Sequence, residues 1–188
     1  MTDASLVELV VDSVRVHMLS NRHVVILKES DRDRYLPIWI GQWEASAIAM
    51  KLQGLTPERP LTHDLFAAVL ASVGARVDRV VVVEMSQETY HARLVLGVGD
   101  RLVEVDARPS DALALAVRTG ARIFATVGLM DQAGLGEGSP GLSGEASDAD
   151  RPPEAPGGGV VDPRLDMFRD FVNSLDTDPG GEGQGRAS

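Results

Sequence analysis

The sequence of 188 residues predicts an α+β fold: a mixed, mostly antiparallel sheet with three packed helices, plus a short C-terminal helix after a flexible linker. Three observations predict it. Apolar runs of strand length, divided by polar turns, recur through the first 128 residues. Three helix-length stretches sit among them, each closed by a glycine. Beyond residue 128 the composition shifts to glycine, proline, serine and acids.

The elements follow in order. Residues 5–20 alternate apolar positions, as in Leu9, Val11, Val14, Val16 and Met18, and read as one long strand or two short ones. Residues 23–28 and 35–40 are apolar runs about a charged turn, a hairpin pattern, with Pro37 marking an edge or irregular position. Gly41 opens a helix that ends at Gly54, with Ala45, Ile48, Ala49 and Leu52 as its buried stripe. Thr62 is read as the N-cap of a second helix, closed by Gly74. Residues 79–85, 90–96 and 101–106 read as three strands joined by tight turns. Pro109 starts a third helix, capped by Gly120, and residues 122–126 form a last strand.

This assigns residues 1–128 to one domain. Residues 129–161 read as a disordered Gly/Pro/acidic linker, because so few apolar side chains cannot offset the entropy of ordering. Residues 162–176 read as an amphipathic helix: Asp162 and Pro163 punctuate its start, and Leu165, Phe168, Phe171, Val172 and Leu175 form one stripe. Residues 177–188 read as a disordered tail.

The formal charge is −10, which at first argues against a nucleic-acid partner. Most of it lies late in the chain. Residues 129–188 hold 12 acids and 4 bases, against 16 acids and 14 bases before them. The domain is thus nearly neutral, and 12 of its 14 bases are arginine, the side chain that pairs bidentately with carboxylate and phosphate. The absence of cysteine excludes disulfides, thiolate zinc sites and a cysteine nucleophile. No stretch reaches the roughly 18 apolar residues of a membrane span, and residues 1–5 do not begin a secretory signal. The expectation is a cytoplasmic protein with no membrane partner.

Three polar clusters sit where a strand or loop hands over to a helix: residues 41–44 (GQWE), 59–64 (RPLTHD) and 106–111 (DARPSD). Helix N-termini favour anions. Together the clusters hold four carboxylates, one imidazole and two guanidinium groups, the kit for metal-assisted phosphodiester hydrolysis. Glu44, Asp64, Asp106 and Asp111 are the candidate ligands of a divalent cation, Mg or Mn. His63, with Asp64, Asp111 and Glu44, is assigned to catalysis, as general base or leaving-group acid. Arg59, Arg108 and Ser110 are assigned to phosphate binding.

Each residue also has a structural reading. Asp64 and Asp111 suit the first helical turn by charge alone. Thr62 and Ser110 suit caps. In that reading His63 simply bonds a carboxylate, Asp106 and Arg108 pair across their turn, and Glu44 faces solvent. His91 reads as a surface residue, and Trp39 and Trp43 read as core and rim packing rather than a base-stacking platform.

Four stretches carry a resemblance: residues 36–41 (LPIWIG) with Glu44 and Ala45, residues 59–65 (RPLTHDL), residues 106–112 (DARPSDA) and residues 115–118 (LAVR). In order and spacing they resemble the bifunctional nuclease family over roughly residues 6–128. The resemblance implies a nuclease acting on DNA and RNA with a divalent cation. The stretch at about 130–160 is longer than the family pattern, and Trp43 falls at a variable position. The competing reading is a non-enzymatic oligomeric binding or regulatory module. A homo-oligomer is expected under both.

Overall fold

A computed structural model describes residues 6–17 and 21–139. They form eight strands and four helices: β1 (Leu6–His17), β2 (Arg22–Glu29), β3 (Arg34–Ile40), α1 (Gln42–Leu52), α2 (Thr62–Ser72), β4 (Ala75–Ser86), β5 (Thr89–Val98), β6 (Arg101–Ala107), α3 (Pro109–Thr119), β7 (Arg122–Thr126), α4 (Val127–Ala133) and β8 (Leu135–Gly136). The fold is α+β, as the sequence predicts.

The strands make one mixed sheet in the order β6-β5-β4-β7-β1-β2-β3-β8. The β4–β7 pair is parallel, and every other pair is antiparallel. Two meanders, β6-β5-β4 and β1-β2-β3, therefore meet only through β7. The run Val24–Val25–Ile26–Leu27 in β2 is buried on both faces of the sheet, which explains its lack of alternation. Pro37 lies in β3, whose outer edge is paired with β8 only at Arg34 and Tyr35, a position that tolerates a missing N–H.

α3 is the hub of the helical layer and packs against both α1 and α2. Its residues Ala112 through Ala116 are all buried, and three of the five are alanines that let the neighbouring helices approach closely. Pro109 stands at its first turn and Gly120 adopts the left-handed conformation (φ 72°) at its end, as the sequence punctuation requires. In the central core, Leu9, Ile48, Val80, Leu94 and Leu113 are buried together.

Several local expectations need correction. Thr62 is the first helical residue rather than the N-cap, which is Leu61. Leu52 is 49% exposed, and the buried residues of α1 are Ala45, Ala47 and Ile48. Trp43 is not packed but 77% exposed. His91 is half-buried on β5.

Folded structure also continues past residue 128, into what the sequence assigns to the linker. The Thr126 hydroxyl starts α4 by accepting from the Leu129 amide (3.2 Å), and it donates to the Val83 carbonyl (2.7 Å). Leu129 and Met130 are buried. Arg34 then ties the helix down, donating to buried Glu29 (2.8 Å) and to Asp131 (3.1 Å). The linker from residue 140 on, the helix at 162–176 and the tail at 177–188 lie outside the described residues.

Candidate active site at three helix starts

Glu44, Asp64 and Asp111 share one local address. Each is the third residue of its helix, in α1, α2 and α3 respectively. A carboxylate there meets the free N–H groups and partial positive charge of the first turn. The fold places these helix starts so that side chains cross between them.

Two networks result. In the first, the His63 Nε2 stands 3.1 Å from the Asp111 Oδ1, joining α2 to α3. Arg108, at the N-cap of α3, donates from Nε to Asp111 Oδ2 (2.7 Å) and from Nη2 to Asp111 Oδ1 (3.1 Å). The same Nη2 donates to Glu44 Oε1 (2.9 Å), reaching α1. Gly41 makes room for this arrangement, because a Cβ there would collide with the Glu44 carboxylate. Burial pushes the Asp111 carboxyl up, but Arg108 and His63 more than offset it and hold the group below its ordinary value.

In the second network, Asp64 accepts from the Leu61 amide (2.9 Å) and from Arg118 Nε (2.6 Å). The Arg118 side chain, only 5% exposed, also donates to the carbonyls of Ala114 (2.9 Å) and Ala47 (3.1 Å). It clamps α1, α2 and α3 together. Burial raises the Asp64 carboxyl as well, and the Leu61 amide, Arg118 and Lys51 bring it below its ordinary value. Arg118 was within a matching stretch of sequence, yet no role was read for it, since its partners lie 54 and 71 positions away.

The structure thus brings together His63, Asp111, Arg108 and Glu44, with Asp64 on the adjoining network. It does not bring in Asp106. In β6, Val103 and Val105 lie opposite Leu96 and Leu94 of the core, whereas Asp106 lies opposite Arg93 on the other face of the sheet. Asp106 is exposed there, turned away from the helices. Ser110 is 7% exposed and offers little surface. Arg59 is exposed in the loop before α2 and has no ion pair among the described residues.

The donor set does not fit a divalent cation in this arrangement. Asp111 gives both oxygens to Arg108 and His63, and Asp64 gives both to Arg118 and the Leu61 amide. Among the described residues, no group of three His, Asp or Glu side chains could hold a metal ion.

A family model described as the bifunctional nuclease domain matches residues 25–137. The chain belongs to the bifunctional nuclease domain family. That match runs from β2 through β8 and includes every residue of both networks. The chain is also 39% identical over 171 residues to the uncharacterized protein Rv1829 of Mycobacterium tuberculosis strain ATCC 25618 / H37Rv, covering 91% of this chain and 96% of the relative. The uncharacterized protein MT1877 of strain CDC 1551 / Oshkosh matches to the same extent. Among the described residues of this bifunctional nuclease domain, no helix is long and apolar enough to cross a membrane.

Proposed function

We propose that the protein hydrolyses phosphodiester bonds of DNA and RNA at the His63–Asp111–Arg108 cluster. One observation supports this reading above the others: Asp111 joins an imidazole to a guanidinium that is 67% exposed. Because Asp111 is ionised, His63 carries its hydrogen on Nε2, toward the carboxylate, and its Nδ1 is left to accept a proton. The Arg108 Nη1 makes no bond among the described residues and is available to a phosphate oxygen. DNA has no 2′-hydroxyl, so a chemistry common to both polymers uses water as the nucleophile. Water attacks phosphorus and gives its proton to His63 Nδ1. The bond to the leaving sugar oxygen breaks, and that oxygen takes up a proton from solvent water, while His63 later returns its own to solvent. Arg108 offsets charge on the phosphoryl oxygens, and Glu44 holds Arg108 in place. Arg59 supplies a further phosphate contact.

The test is degradation of plasmid and of single-stranded RNA by the pure protein, with magnesium or with EDTA. This reading expects activity in both conditions and its loss in His63→Ala and Asp111→Asn proteins. Unchanged activity in those variants sinks the assignment. Activity abolished by EDTA and restored by magnesium or manganese would instead support a divalent-cation mechanism, in which Glu44, Asp64 and Asp111 would be the residues to hold the ion.

A second reading, an oligomeric module without catalysis, is favoured by α2. That helix has no buried residue, and Leu65, Phe66 and Val69 on it and Val73 just after it are exposed, an apolar surface suited to a second copy of the chain. Sedimentation combined with a nucleic-acid titration separates the two: a stable oligomer that binds nothing at low salt supports the second.

A further inference from the structure

Beside the α1 start lies a groove of about 420 Å³ that the proposed chemistry leaves unused. Arg22, His23, Trp39, Gly41 and Gln42 line it. The Arg22 guanidinium lies over the Trp39 ring, 4.3 Å from its centroid, so the groove contains a planar cation already held against an aromatic face. The next residue along α1, Trp43, is 77% exposed. A tryptophan normally buries most of its large ring, and nothing in the packing of α1 explains an indole left in water.

The groove adjoins the cluster. Gly41 forms part of its wall, the Glu44 carboxylate lies against the position a Gly41 side chain would fill, and Glu44 holds Arg108 at 2.9 Å. A phosphate on Arg108 therefore has a stacking surface on the far side of Gly41 and Glu44.

We propose that this groove is a nucleobase subsite and that the substrate is single-stranded nucleic acid. The inference rests on the hydrolytic reading of the neighbouring cluster. An unpaired base stacks on the Arg22 plane, backed by Trp39, and the exposed Trp43, next in the chain after the lining residue Gln42, offers a second ring to a neighbouring base. Both guanidinium planes and indole rings serve as stacking platforms for splayed-out bases. A base held in a duplex offers no free face, so the site selects single strands. Stacking needs no base-specific hydrogen bond, which suits a site that accepts DNA and RNA alike.

The experiment uses the full chain, whose only tryptophans are Trp39 and Trp43. Indole fluorescence is titrated with single-stranded DNA, single-stranded RNA, a blunt duplex and an abasic strand of equal length. Both single strands are expected to quench and the abasic strand not to; the duplex is expected to bind at least about tenfold more weakly. Trp43→Ala and Arg22→Lys, the latter keeping charge but losing the plane, are each expected to weaken single-strand binding by roughly ten- to a hundredfold, the effect of one lost stack. Both variants keep their rate on bis(p-nitrophenyl) phosphate, a phosphodiester without a base. Equal affinity for duplex and single strand, or unchanged binding by both variants, overturns the subsite. Failure of the hydrolytic reading is separate: it is read from His63→Ala on the base-free ester, whatever the fluorescence shows.

Discussion

His63 Nε2 and Asp111 Oδ1 stand 3.1 Å apart although 48 positions separate them in the chain. The carboxylate fixes the imidazole tautomer, and the imidazole occupies an oxygen that Arg108 also contacts. His63→Ala is expected to lower hydrolysis by about two to four orders of magnitude, the usual scale of a positioned acid–base group. Asp111→Asn keeps the shape but removes the charge that orients His63 and is expected to cost at least about tenfold. Steady-state rates on a base-free phosphodiester check both.

Arg118 should matter to stability rather than to chemistry. Its removal leaves Asp64 and the Ala47 carbonyl without their partner inside the helical layer. Arg118→Ala is expected to destabilise the domain by about 2–4 kcal/mol, toward the lower end of the range for broken buried pairs because Asp64 keeps some access to water. Arg118→Lys restores the charge but not the forked geometry and should recover only part of the loss. Urea unfolding measures each.

Acid should act through the same carboxylates. Asp64 and Asp111 are both held below their ordinary values in the folded chain. The native state therefore binds fewer protons than the unfolded one as the pH falls below about 4. The stability they contribute is complete above that pH and is lost as the pH drops through their folded values. Urea midpoints between pH 7 and pH 3 should fall steeply at the acid end for the parent and more gently for Asp64→Asn/Asp111→Asn.

Gly41→Ala probes Glu44 without touching the cluster directly. The backbone there (φ −68°, ψ 154°) suits any residue, but the new Cβ takes the place of the Glu44 carboxylate. That carboxylate is the free end of a side chain, so stability should change by less than about 1 kcal/mol, within the usual surface range. Hydrolysis should fall several-fold as Arg108 loses its second anchor. Calorimetry and rate measurements on one preparation separate the two effects.

The parts of the fold legible in the sequence were those written in local patterns. Pro109 and Gly120 bracket α3, the charged turn at residues 29–34 joins β2 to β3, and the valines of β4 mark its strand. What stayed hidden depends on distant neighbours. Helix α4 is only seven residues long, and Thr126 and Arg34 hold it through partners that composition does not reveal. Asp106 was grouped with Asp111 because five positions look close in sequence, but strand alternation sends Asp106 and Ala107 to opposite faces. Four acids near helix starts suggested a metal set; only their coordinates show Glu44 and Asp111 paired to Arg108, Asp64 paired to Arg118 and Asp106 apart from them. Trp43 looked like packing because a large ring is usually buried, yet its direction around the helix leaves it in solvent.

The continuity of the whole sheet also depends on the single five-residue strand β7. Residues 6–40 and 75–107 can each form an antiparallel meander from near neighbours, but no ladder joins the two until residues 122–126 slide between β1 and β4. Without that strand each half-sheet would end in an open strand edge, so a change that weakens residues 122–126 is expected to leave β1 and β4 available for pairing with another chain.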